Sequence, residues 1–130
     1  MRATVVVLRL LVSLAGLALI ALGVLFWTGR ALSLLPLHMA LGVFFVVCLW
    51  TLGALGLRFR GARLLAAVVL AWGLLVPIIG MAQLSLMPGS LHWVIQSVHL
   101  LIGVLAIGLG HVLSARVLRP STSSSGLAAA

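Results

Sequence analysis

The chain has 130 residues, of which 65% are hydrophobic and only 6% are charged, whereas an ordinary soluble domain carries about 25% charged residues. A water-soluble fold cannot bury that much apolar surface. Since an apolar helix needs about 20 residues to cross the hydrocarbon core of a bilayer, the length predicts about four crossings and excludes a separate soluble domain.

All eight charged side chains are arginines, and the sequence contains no Asp, Glu, Lys or Tyr. Without carboxylates the chain cannot build Ser-His-Asp triads, paired-carboxylate glycosidase sites, two-metal hydrolytic sites or carboxylate proton relays. We therefore expect no independent catalytic activity. The arginines, which give the chain a net charge of +8, lie beside predicted helix ends, where anionic lipid is a better partner than nucleic acid.

Four apolar runs separated by Gly, Pro, Ser and Arg predict the secondary structure. Helices are expected at about 10–27, 34–57, 64–87 and 91–113, and the short connections make consecutive helices antiparallel neighbours. The first run is longer than a signal-peptide core and lacks a clean small-x-small cleavage site, which favours a retained helix. The expected fold class is all-α, an integral membrane four-helix up-down bundle over residues 1–119. Residues 120–130, which are rich in Ser and Ala, are predicted to form a disordered cytoplasmic tail.

The arginines predict an orientation in the membrane. Seven lie at one end of the predicted bundle and only Arg30 lies at the other. Because positive charge accumulates on the cytoplasmic side, both termini are expected in the cytoplasm, and the expected location is a bacterial inner (cytoplasmic) membrane. The seven are Arg2, Arg9, Arg58, Arg60, Arg63, Arg116 and Arg119.

Two stretches in the first half of the chain resemble two stretches in the second half. Residues 16–23 resemble residues 73–80, and residues 38–43 resemble residues 99–104, with offsets of 57 and 61 positions. The similarity suggests an internal repeat, with two helical hairpins related by an axis along the membrane normal.

His38 and His99, at equivalent repeat positions, are the strongest candidates for chemistry inside the membrane. An ionisable side chain within a bilayer is a functional hypothesis by default, and His99 lies about eight residues, or about 12 Å, inside its predicted helix. Gly42 and Gly103 follow four residues later on the same helical faces. Two opposed imidazoles, each beside a glycine that leaves open space, are typical of a site for a flat macrocycle whose iron binds one nitrogen from each helix. Small-residue helix packing is the competing explanation for the glycines, although not for the paired histidines.

This pattern, carried by His38/Gly42 and His99/Gly103, resembles four-helix membrane cytochromes of the b type. The resemblance implies one noncovalently bound haem b, with His38 and His99 as its ligands, and one-electron transfer with quinol or a redox partner subunit. A second haem is not expected, because His111 lies twelve residues after His99 and is rotated by roughly 120° from it. Covalent attachment is excluded by the absence of a Cys-x-x-Cys-His motif.

Haem propionates would need polar partners near the outer surface. Arg30, the single arginine at that end, is the natural candidate, with His92 or Gln96 as helpers. Without a cofactor, Arg30 is an interfacial loop residue, and His92 and His111 are wet side chains near helix ends.

Two alternatives to haem are left open by the sequence. Met39, Met81 and Met87 accompany the outer histidines, and thioether with imidazole is a ligand set that suits Cu(I). The other alternative needs no cofactor: a membrane anchor or assembly subunit of a larger complex, whose polar side chains form hydrogen bonds between helices. The side chains suited to that role are Gln83, Ser85, Gln96 and Ser97. An oligomer is compatible with either alternative, and the lipid bilayer is a partner in all three interpretations.

Overall fold

The computed structural model describes residues 1–83 and 85–119, and these form four α-helices with no strand among them. Each helical segment is long and apolar enough to cross a membrane. The predicted all-α, four-helix class is therefore confirmed. The helices are α1 (Arg2–Trp27), α2 (Leu35–Gly56), α3 (Arg63–Ala82) and α4 (His92–Leu118), and short 3-10 turns at Leu32–Leu34, Arg60–Ala62 and Gly89–Leu91 precede the last three.

Helices α1 and α4 extend beyond their apolar runs. Helix α1 begins at Arg2, eight residues before the predicted start, and α4 continues to Leu118, five residues past the predicted end. Neither extension contains Gly or Pro, so polar residues interrupt the hydropathy without breaking the helix. Arg116, in the last turn of α4, also complements the negative end of the helix dipole.

Helix α3 ends at Ala82, earlier than the predicted Met87. The chain turns in the following loop, where Met87 has a φ of 49° and Gly89 a φ of 84°. Such left-handed backbone is incompatible with a continuing α-helix. The predicted tail, residues 120–130, lies outside the described residues.

The four helices surround a common interior in chain order. Each helix packs against the next, α4 closes the ring against α1, and α2 also touches α4 across the middle. Glycines allow this diagonal contact: a Cβ added at Gly56 would lie 2.9 Å from Leu113 Cδ1, and one added at Gly110 would lie 3.2 Å from Leu49 Cδ1. The close approach of α2 to α4 therefore depends on glycines, which have no side chain to separate the helices.

The packed core occupies one half of the bundle, which we call the arginine-rich half because Arg2, Arg58, Arg63 and Arg116 lie at its end. In α1 the buried residues run from Val5 to Gly16, and in α2 they run from Phe45 to Gly56. The opposite half, at whose end residues 28–34 and 85–91 lie, is called the histidine half. Fewer side chains are buried there, so the two halves are packed differently.

Two tryptophans form hydrogen bonds between helices. The Trp50 indole N–H donates to the Leu70 carbonyl oxygen over 3.0 Å, which joins α2 to α3. The Trp72 indole N–H donates to the Ile102 carbonyl oxygen over 2.9 Å, which joins α3 to α4. A tryptophan within a membrane needs an acceptor for its N–H, so these contacts fix the register of three helices.

A Gly56→Leu substitution tests the diagonal contact. The added side chain would collide with Leu113 and with Ala66, whose Cβ lies 3.0 Å from a Cβ added at Gly56. Overpacking of this kind is expected to lower the free energy of unfolding by about 1–3 kcal/mol. The measurement is the unfolding midpoint in detergent. Gly108→Leu is the matched control, since a Cβ there meets nothing within 4 Å; equal midpoints for the two variants would contradict the packing described.

Candidate functional site: a cavity between two histidines

A cavity of about 120 Å³ takes the place of a packed core in the histidine half. Residues of all four helices line it, and most are apolar or glycine. The polar lining side chains are His38 from α2, Gln83 following α3, and Gln96 and His99 from α4. The site is therefore an apolar space with a few converging polar groups, which is the usual composition of a ligand site.

The imidazoles of His38 and His99 each have an unsatisfied nitrogen. Nδ1 of both rings is buried and has no hydrogen-bond partner among the described residues. Buried polar atoms are nearly always paired, and an unpaired one calls for an explanation such as a bound ligand or water. The two rings therefore have hydrogen-bonding or ligating capacity that the described part of the protein does not use.

Packing holds both rings in place. The His38 ring lies 5.4 Å from the Phe26 ring, centroid to centroid, in an edge-to-face arrangement. The His99 ring lies over Gly80 of α3, where an added Cβ would come within 3.0 Å of its Cε1 atom. His38 lies in the first turn of α2 and His99 is the eighth residue of α4, and both rings line the same cavity.

The structure brings together four of the seven predicted cofactor-binding residues. His38, Gln96, His99 and Gly103 line the cavity. Arg30 is exposed, and neither it nor His92 is among the lining residues. Gly42 does not line the cavity either, although the space beside both Gly42 and Gly103 is open, with nothing within 4 Å of an added Cβ.

Sequence reasoning missed the walls of the site. Phe26, Phe45, Val76 and Ile107 line the cavity, and Gly80 supports His99. An apolar residue facing a cavity has the same sequence pattern as one facing lipid or core, so no sequence signal identifies the first four. Gly80 had a signal, since it closes the run that resembles residues 16–23.

His111 belongs to a different contact. Its Nε2 atom lies 2.7 Å from Ser13 Oγ, which connects α4 to α1. The Ser13 hydroxyl donates to the Arg9 carbonyl over 2.8 Å, so its single proton is used and Nε2–H of His111 donates to the hydroxyl. This ring is exposed and lies in the arginine-rich half, away from the cavity.

Neither a metal cluster nor a hydroxyl network surrounds the cavity in residues 1–83 and 85–119. No three His, Cys, Asp or Glu side chains among them lie close enough to hold a metal ion. Met39, Met81 and Met87 are exposed and do not line the cavity, so their placement gives the copper hypothesis no support. Ser85 and Ser97 donate their hydroxyls to carbonyls one turn earlier, those of Ala82 and Trp93, rather than across helices.

Gly80→Ala is expected to displace the His99 ring. The new methyl group would lie 3.0 Å from Cε1, closer than ordinary carbon contacts of about 3.5–4.0 Å. Histidine side-chain NMR resonances, assigned with single His→Ala variants, should shift for His99 but not for His92 or His111. The matched control is Gly23→Ala, the repeat-equivalent position, where the added Cβ meets nothing within 4 Å. An unchanged His99 resonance in Gly80→Ala would refute the contact.

No protein-family model, curated protein or solved structure matches this chain. The chemistry of its candidate site therefore follows from the cavity and its residues: two imidazoles with free nitrogens, two amides and an apolar wall, within four membrane-spanning helices.

Proposed function

We propose that this protein is a small b-type cytochrome-like membrane protein, in which His38 and His99 hold one haem for electron transfer. The observation that carries the proposal is the pair of buried imidazoles on one cavity, each with an unpaired Nδ1 atom. A bis-His haem supplies a one-electron carrier without an open position for oxygen chemistry. Quinol or a redox partner subunit is the proposed exchange partner.

The two imidazole ligands suit a bis-His haem, but the volume of the cavity does not. Two imidazoles from diagonal helices α2 and α4 are the required ligands, and Gly103 leaves room beside His99. The cavity of about 120 Å³ is smaller than the roughly 300–1,000 Å³ of typical cofactor and ligand sites. Haem binding therefore requires the helices to separate in the histidine half, where few side chains are buried.

The other lining residues would orient and insulate the group. Phe26 holds the His38 ring from the side, and Gly80 sets the position of the His99 ring. Gln83 and Gln96 offer amide donors to an acid group at the rim of the cavity. Around a bound haem, the apolar side chains of Phe45, Val76 and Ile107 would limit the access of water, which strengthens polar contacts there.

A cofactor-free membrane anchor or assembly subunit is the second candidate, and the size of the cavity favours it. A space of about 120 Å³ holds on the order of four waters at about 30 Å³ each. Such waters would connect the two imidazole rings to Gln83 and Gln96, leaving a polar link between helices as the role of the histidines. The two candidates differ in one measurable property, the presence of haem.

Absorption spectra of the detergent-purified protein, oxidised and dithionite-reduced, should show a Soret band that shifts on reduction. The band should disappear in His38→Ala and in His99→Ala, because each removes an iron ligand. His92→Ala and His111→Ala are the controls and should keep it, since neither ring lines the cavity. Colourless, iron-free protein from haem-replete cells would contradict the haem proposal and favour the anchor, whereas one copper per chain would revive the metal alternative.

We further propose that the arginine-rich end faces the cytoplasm of a bacterial inner membrane. Seven arginines lie at that end and one lies at the other, which is the asymmetry that sets orientation. In intact cells a membrane-impermeant maleimide should label Ser90→Cys but not Gly61→Cys, both of which are in exposed loops at opposite ends. The unaltered protein, whose Cys48 is buried, gives the background; the reverse labelling pattern would overturn the orientation.

A further inference from the structure

A second cavity, of about 430 Å³, opens at the arginine-rich end between α1, α2 and α4. Arg2, Arg58 and Arg119 line it together with apolar residues such as Val5, Leu55 and Phe59. It is separate from the cavity that holds the histidines, with which it shares no lining residue. From these three arginines we infer that the cavity is a binding site for the headgroup phosphate of an anionic phospholipid.

The arginines of this cavity have no acidic side chain to pair with. The entire sequence contains no Asp or Glu, so no side-chain carboxylate can neutralise them. Within residues 1–83 and 85–119, the one guanidinium hydrogen bond is that of Arg63, whose Nε donates to the Leu57 carbonyl over 3.1 Å. Three guanidinium groups around one space have unused donors, and repulsion among like charges favours an external anion.

The first turn of α1 adds to the positive potential of the cavity. Arg2, Thr4 and Val5 line it, and the first turn carries no acidic side chain. The N–H groups at the start of a helix have no intrahelical partner and carry partial positive charge, which makes them anion donors. The ends of α2 and α4 are close by, and Arg58 and Arg119 offset the partial negative charge of those C-termini.

The chemistry of the walls identifies a lipid rather than a free anion. Arginine binds phosphate oxygens through paired N–H groups, and the cavity lies where three membrane-spanning helices begin or end. Leu55, Phe59, Val117 and Leu118 continue the cavity as an apolar surface. A glycerophospholipid presents a phosphate at this depth with acyl chains below it, and basic pockets between membrane helices bind such headgroups.

The experiment is a native mass spectrometry titration of the full chain with phosphatidylglycerol and with phosphatidylcholine of identical acyl chains. Phosphatidylglycerol should bind more tightly, and because loss of one arginine–phosphate hydrogen bond costs about fivefold in affinity, Arg2→Gln/Arg58→Gln/Arg119→Gln should bind it roughly 100-fold more weakly. The control Arg9→Gln/Arg60→Gln/Arg116→Gln removes the same charge from the same end but no lining residue. It should retain affinity within about threefold, because it leaves the donors that line the cavity in place and removes only the screened attraction of charges outside it.

Equal weakening in the two triple variants would show that the attraction is diffuse and would overturn the site. Equal affinity for the two lipids would also overturn it, as would displacement of phosphatidylglycerol by millimolar inorganic phosphate, which would indicate a free-anion site. If the triple variant does not fold, as judged by circular dichroism, the single variant Arg58→Gln replaces it with an expected loss of about fivefold. An unchanged affinity in that variant would overturn the proposal.

Discussion

The close approach of α2 to α4 is the contact on which the rest of the bundle depends. It lies in the arginine-rich half, where Gly56 faces Leu113 and Gly110 faces Leu49. Leu49, Leu52 and Leu113 are fully buried there, so this half has a continuous core. Since lipid is as apolar as leucine, association in a membrane depends on such tight packing rather than on a hydrophobic driving force.

The histidine half lacks the tight packing of the arginine-rich half. Its interior holds a cavity, and each of the two imidazole rings that line it has a buried nitrogen without a partner among residues 1–83 and 85–119. The two halves therefore differ in packing: one has a continuous core of large side chains, and the other has a cavity lined by all four helices.

The absence of Asp and Glu limits the partners that are available to the polar side chains of both cavities. No acidic side chain is present to pair with the lining arginines at the arginine-rich end or to hydrogen-bond the imidazoles at the histidine end. Ligated histidines usually donate their second nitrogen to a carboxylate, a backbone carbonyl or water. In this chain the carboxylate option does not exist, so the partners of His38 and His99 have to be amides, carbonyls, waters or a bound group.

The sequence by itself determined the fold class and the residues of interest. Helices are the structures that satisfy every backbone group inside a bilayer without closing a barrel, so four apolar runs predicted four helices, and His38, His99 and Gln96 stood out as polar residues within them. Only the tertiary structure decided that these three share a cavity while Arg30, His92 and Gly42 do not line it. Hydropathy also missed the first turns of α1 and the last turns of α4, because charge interrupts an apolar run without ending a helix.

The tertiary structure alone also revealed the walls of the sites and the second cavity. Helical periodicity places a residue on a face, but rotation of each helix about its axis is set by contacts such as Gly80 with His99 and the Trp72 N–H with Ile102. Nearly every residue of these helices is apolar, so faces toward lipid and toward the interior look alike in sequence. The same reason hid the grouping of Arg2, Arg58 and Arg119: they are far apart along the chain, and only the packing of three helix ends brings them to one cavity.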